Sequence, residues 1–133
     1  MNQSSKSVAE SFVRAINRHD IEELALLMSA EHRFVDSLGN VVSGREKMRA
    51  GWAGYFRMVP NYSIAVEECF REGPVVVLLG VAEGTYAPDG TLKPDNHWST
   101  AIALRARVED GLISEWRVYA DNEPIRERMR KSG

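Results

Sequence analysis

The chain has 133 residues, 44% of them hydrophobic and 27% charged, with a formal net charge of -2 at pH 7 and a pI near 5.9. This describes one globular domain over residues 1–133, long enough to bury about two thirds of its unfolded surface, and excludes a disordered chain. The weak net charge gives no electrostatic ground for nucleic-acid binding, and the apolar run Val75–Leu79 is far short of a membrane span. A single cysteine, Cys69, excludes a disulfide framework and a thiolate metal cluster. The polar start, Met1 to Lys6, has no apolar core of a signal segment behind it, so a cytoplasmic protein is expected.

In chain order, Val8, Phe12, Ala15 and Ile16 share one face of a helix over 7–18, opened by Ser7 with Glu10 at capping-box spacing. Asp20 with Glu23 repeats that signal before a short second helix striped by Ile21, Leu24, Leu27 and Met28. From His32 the period becomes two: His32, Phe34 and Asp36 face one way, Arg33, Val35 and Ser37 the other. Leu38-Gly39-Asn40 turns the chain into Val41-Val42. A third capping pair, Ser43 and Glu46, opens a helix to about Val59 with an aromatic stripe of Trp52, Tyr55 and Phe56, and Pro60 stops it.

Four strands in meander order follow. Tyr62 to Arg71 alternates, Glu72-Gly73-Pro74 turns, and Val75 to Ala87 begins as a solid apolar run. After Pro88-Asp89-Gly90 and a polar loop, Trp98 to Asp121 reads as one long hairpin about Asp110-Gly111, a pair that tolerates the positive φ of a type I′ turn. Trp98, Thr100, Ile102, Leu104, Ala106 and Val108 share one face of its first arm. Leu112, Ser114, Trp116, Val118 and Ala120 share one face of the second, with Ile113, Glu115, Arg117, Tyr119 and Asp121 opposite. The basic tail, with Ile125 and Met129 at helical spacing, reads as a solvated helix end. Three helices followed by long strands make an α+β layout: a curved, mostly antiparallel sheet wrapped around three N-terminal helices, a cone with a pocket.

Phe12-Val13-Arg14-Ala15-Ile16-Asn17-Arg18-His19-Asp20, Phe34-Val35-Asp36-Ser37-Leu38-Gly39, Ser43-Gly44-Arg45-Glu46 and the run Asp110 to Asp121, in this order and spacing, resemble the nuclear transport factor 2-like superfamily. Within it the chain is similar to SnoaL-like and ketosteroid isomerase-like proteins over nearly its whole length. The resemblance implies a cone-shaped α+β barrel but no one reaction, since the fold hosts isomerases, cyclases, dehydratases, epoxide hydrolases and members without known catalysis. It places Asp36, in an Asp-x-x-Gly pattern, at the general-base aspartate of the ketosteroid isomerases. Their oxyanion donors do not carry over: the tyrosine position is Phe12 here, and the protonated aspartate falls at or near Ala103. Asp121 resembles the acid or base aspartate near the end of the last strand of SnoaL-like cyclases, although a bulge is required to bring it to the face of Trp116 and Val118.

The expected catalytic residues are therefore Asp36, with Asp121 or His32 as partner, and no cofactor or metal. His32 shares the strand face of Asp36 about 7 Å per two-residue step away. A second reading of Asp36 is a cap on the turn at Gly39 and Asn40. Expected ligand-binding residues are Phe12, Phe34, Trp52, Tyr55, Phe56, His97, Trp116 and Tyr119; for Trp52, Tyr55, Phe56 and Trp116 ordinary core between the third helix and the sheet is the alternative, and for His97 a solvent-exposed place. Tyr119 and Asp121 orient a ligand carbonyl or serve a sheet-face contact, and Glu83 lies on either sheet face. The histidines at 19, 32 and 97 lack metal-ligand spacing, and no nucleophile elbow, phosphate loop or dinucleotide fingerprint is present. The expected ligand is a small apolar, polyketide- or steroid-like molecule. The expected partner is a second copy through the outer sheet face, not nucleic acid or a membrane. The alternative function is a non-catalytic ligand-binding or dimerisation module.

Overall fold

Residues 4–132 are described by a computed structural model. The first helix, α1 (Ser5–Arg18), starts one turn earlier than the Ser7–Glu10 spacing suggests, because the Ser4 side chain accepts the Ser7 N–H at 3.1 Å and Ser7 is already helical. Its stripe of Val8, Phe12, Ala15 and Ile16 is buried as expected. In α2 (Ile21–Leu27) the Asp20 carboxylate accepts the Glu23 N–H at 3.1 Å, the cap its spacing predicts. Met28 is not part of this helix. It is extended and begins β1 (Met28–Val35), which therefore starts four residues before His32. A register shift between Met28 and Arg33 interrupts simple alternation there, which hides the start of the strand from a period-two reading.

The short strand β2 (Val41–Ser43) pairs antiparallel with β1, and Ser43 is still paired with Arg33. The capping box expected at Ser43 and Glu46 is consequently not formed. Gly44, at φ +104°, makes the N-cap of α3 (Arg45–Met58) without a side-chain hydrogen bond, a conformation that favours glycine.

The remaining strands are β3 (Ser63–Glu72), β4 (Val75–Thr85), β5 (His97–Glu109) and β6 (Leu112–Ala120), with a 3₁₀ turn at Pro94–Asn96. They form one six-stranded sheet in the order β2-β1-β6-β5-β4-β3. Every pairing is antiparallel except β1 with β6, which run parallel with Phe34 opposite Trp116. A β1–β6 seam lets the sheet curve around α1 and α3 as the cone expected from the element order. Its curvature is reinforced at Gly80, where a Cβ would stand 1.9 Å from the Ala65 carbonyl oxygen beside a register break between Val66 and Glu68.

The β5–β6 hairpin turns on Asp110 and Gly111 at φ 54° and 75°, as a type I′ turn requires. Its face assignment differs from strict alternation. Arg107 pairs with Glu115 but Val108 with Ile113, so Ser114 bulges out, and its hydroxyl donates to the Arg107 carbonyl at 3.2 Å. Ile113 and Trp116 thereby both turn inward and are fully buried, whereas Leu112 and Ser114 leave the face they were expected to share with Trp116. A fourth helix, α4 (Glu123–Ser132), is docked rather than merely solvated: Ile125 packs on the core and the Arg128 Nε–H donates to the His97 carbonyl at 3.0 Å.

Candidate active site

Between α3 and the inner face of the sheet lies a cavity of about 320 Å³. Its walls are mainly aromatic: Phe34 from β1, Trp52 and Tyr55 from α3, Tyr62 before β3, Trp98 from β5 and Trp116 from β6. The rings meet edge to face, Trp52 against Phe34 at 6.2 Å and against Tyr55 at 6.5 Å, the arrangement ring quadrupoles favour. Aliphatic side chains such as Ile102, Leu104 and Val118 fill the gaps. The polar end is formed by Asp36, Ser37, Thr100 and Asn122, tied together where the Asn122 amide donates to the Ser37 hydroxyl at 2.5 Å and the Thr100 hydroxyl to the Asp121 carbonyl at 3.0 Å. Among the described residues no Lys, Arg or His lines the cavity, so Asp36 carries its one formal charge.

Asp36 caps its own turn, as its second reading expects, and also borders the cavity. One carboxylate oxygen accepts the N–H groups of Leu38 and Asn40, each at 2.9 Å, and the other accepts the Asn40 side-chain amide at 3.2 Å. Gly39, at φ +86°, lets this tight turn form. The carboxylate is thus oriented by three neutral donors while its residue borders the cavity. The second oxygen keeps acceptor capacity for a ligand proton.

The expected partners stand elsewhere. His32 is fully buried, but it packs behind the wall, 6.3 Å from the Phe12 ring, and does not line the cavity. Its Nδ1–H donates to the Ile113 carbonyl at 2.8 Å, leaving Nε2 without a partner, and burial pushes its pKa below the ordinary 6.5. Asp121 is exposed and its carboxylate accepts the Glu123 N–H at 2.9 Å, capping α4. The bulge in β6 lies at Ser114, upstream of Trp116, so it does not bring Asp121 to the face of Trp116 and Val118. That parity instead continues through Ala120 to Asn122, a lining residue whose neutral amide gives no acid-base signal in the sequence.

Of the expected ligand-binding residues, Phe34, Trp52, Tyr55 and Trp116 line the cavity. Phe12 and Phe56 are core behind it, Phe12 at 4.6 Å from the Trp116 ring and Phe56 stacked on His19 at 4.0 Å. Tyr119 is exposed on the outer face beneath the Arg117 guanidinium, 5.0 Å from its ring centroid. His97 is likewise outside, within 3.5 Å of Glu83, which settles the outer face for that carboxylate. Tyr62 and Trp98 also line the cavity, Tyr62 just before β3 at the inward parity of Ile64 and Trp98 within β5 at that of Ile102, although neither is among the expected ligand-binding residues. Of the two oxyanion positions, Phe12 offers no donor. Ala103 pairs opposite Tyr119, whereas its neighbours Ile102 and Leu104 face inward.

The SnoaL-like domain family model matches residues 9–116. The chain belongs to the SnoaL-like family. Solved structures of the same fold include a protein from Shewanella denitrificans assigned as a SnoaL-like polyketide cyclase, 15% identical, covering 96% of this chain and 97% of that one with a TM-score of 0.82. An LEH-like epoxide hydrolase from M. tuberculosis is 13% identical, covering 96% of this chain and 90% of that one with a TM-score of 0.77. A protein of ketosteroid isomerase-like fold from Catenulispora acidiphila, in complex with trimethylamine, is 19% identical, covering 91% of this chain and 90% of that one with a TM-score of 0.78. At these identities they show the fold this SnoaL-like protein shares, not its reaction. No curated protein sequence matches it.

Proposed function

We propose that this SnoaL-like protein takes a small, largely apolar, polyketide- or steroid-like molecule into its cavity and moves a proton on it with Asp36 as general base, in a cofactor-free isomerisation, cyclisation or hydration. The observation that carries this is a single carboxylate, held by three neutral donors, at the polar end of a largely aromatic cavity. A fixed base at the border of a largely apolar cavity suits carbon-proton abstraction, and such catalysis contributes about 10²- to 10⁴-fold. Asp36→Asn, assayed on a panel of polyketide-like ketones, steroids and epoxides, is expected to lose turnover by that factor with binding retained. Unchanged turnover of any accepted substrate overturns the assignment.

A non-catalytic binding or dimerisation module is favoured by two observations: Asp36 already serves its own turn, and Phe12 contributes no donor. On that reading a ligand binds to the wild type and leaves unchanged. Either role is compatible with a homodimer through the outer sheet face, where Leu79, Ala103 and exposed Tyr119 stand in one cross-strand row. Sedimentation of wild type and Tyr119→Lys tests it, the variant being expected to shift toward monomer.

A further inference from the structure

The cavity wall is a run of rings, most of them set square to the next. Phe34 meets Trp52 at 6.2 Å and 80°, Trp52 meets Tyr55 at 6.5 Å and 89°, Tyr55 meets Tyr62 at 5.0 Å and 88°, and Tyr62 leads on to Trp98 at 6.0 Å and 38°. Rings joined in this way wall one space from several sides. The indole N–H groups of Trp52, Trp98 and Trp116 lack partners but are sealed by surrounding atoms, so these rings offer a ligand carbon and π surface in place of donors. Burial pushes the phenols of Tyr55 and Tyr62 above their ordinary value of 10, so both are uncharged at neutral pH and the formal charge of the wall is that of Asp36. The three groups that hold its carboxylate are neutral amides, so nothing within the wall cancels that charge. Asp36 follows Phe34 by two positions at the same parity, its backbone about 7 Å further along the chain, and thus stands beside the first ring of the run.

An uncharged ligand gains no binding energy from that charge, and a carboxylate ligand is repelled by it. A cation is drawn twice, by the carboxylate and by the negative faces of the rings. Hydration then decides which cation. A primary ammonium has three N–H groups to satisfy, and the polar end offers few free acceptors, since the Ser37 hydroxyl takes the Asn122 amide and the Thr100 hydroxyl is committed to the Asp121 carbonyl. A methylated ammonium has one N–H or none and presents methyl groups to the rings. We propose that the cavity binds the tertiary or quaternary alkylammonium head of a small cation, with the rings as a cage and Asp36 as counter-ion. This rests on the reading of the cavity as the ligand site and is independent of Asp36 acting as a base.

All three tryptophans of the chain line the cavity, so biosynthetic replacement of tryptophan by 5-fluorotryptophan alters this wall and no other part. Fluorine draws electron density from the ring face and barely changes its shape. The probes are choline, 3,3-dimethylbutan-1-ol, which has the same shape with carbon in place of the charged nitrogen, and ethanolamine, the primary amine. Affinities are measured by NMR titration with wild type, the fluorotryptophan protein and Asp36→Asn, each checked for folding by circular dichroism. Fluorination is expected to weaken choline about 2- to 10-fold and to leave 3,3-dimethylbutan-1-ol unchanged. Asp36→Asn is expected to weaken choline about 3- to 10-fold, again sparing the alcohol. Ethanolamine should bind worst. An equal response of choline and the alcohol to fluorination overturns the cage and leaves the cavity as a site for uncharged ligands, and so does a loss of choline binding in Asp36→Asn alone. Ethanolamine binding as tightly as choline overturns the choice of a methylated head. Failure of every probe to bind overturns the proposal and removes the ligand-binding reading as well. Turnover of uncharged substrates by Asp36→Asn reads the base separately, so the two assignments fail apart.

Discussion

A buried imidazole whose one N–H is committed to a backbone carbonyl has a sign attached to it. His32 is held neutral by burial, so the unfolded chain binds a proton that the folded chain refuses. The folded pKa is below 6.5, and so this contribution is complete above 6.5 and is lost as pH falls below 6.5 toward the folded value. His32→Gln keeps an amide N–H for Ile113 but cannot titrate. Urea unfolding at pH 7.5 and pH 5 is expected to show a smaller acid loss of stability for the variant than for wild type. Tryptophan at 116, fully buried between Phe12 and the cavity, is the costliest residue to truncate: Trp116→Ala is expected to lose about 3–5 kcal/mol in the same measurement. Its inward place was legible from alternation with Val118 and Ala120. Asp36 was legible because its Asp-x-x-Gly turn is local, whereas the cavity places of Tyr62 and Asn122 depend on where β3 starts and β6 ends, which a pattern cannot fix.

Capping spacings show how far local chemistry reaches at the scale of an element. All three Ser/Asp-x-x-Glu patterns have the right residues, yet only Asp20–Glu23 forms its cap. Ser7 lost to a better-placed Ser4, and Ser43 was claimed by the pairing of β2 with β1. Asp20→Ala should therefore cost about 1 kcal/mol by thermal or chemical unfolding, and Ser43→Ala less than about 0.5 kcal/mol. The bulge at Ser114 is the other lesson. Six strands and their turns follow from hydrophobic period and Asp-Gly chemistry, but one extra residue inverted the assignment of Leu112, Ile113 and Ser114, because a bulge is chosen by packing on both strands at once. At Gly80 tight passage of β3 leaves no room for a methyl group. Gly80→Ala is expected to cost about 1–3 kcal/mol and to loosen β3 first, read by hydrogen exchange at Ala65 and Val66.

Across the whole molecule, the cone follows from long strands arriving after three helices, and that order was readable. The parallel seam was not, since nothing near Phe34 announces that its neighbour is Trp116. Nor was the docking of α4, which lies beyond the matched family region 9–116 yet supplies, through Asn122 just before it, part of the polar end of the cavity. Asn122→Ala removes the bond to Ser37 and is expected to lower stability by about 0.5–1.5 kcal/mol, measured by urea unfolding.

The same seam has a consequence for manufacture in the cell. Arg33 and Glu115 are 82 positions apart in the chain but side by side in the sheet. While a ribosome is still adding the intervening residues, the nascent first strand has no β6 to lie against and must wait with that flank bare. A translation pause before Leu112 prolongs the wait and invites pairing with a stray chain, so expression yield should respond to chaperone supply more than the finished protein's heat tolerance suggests.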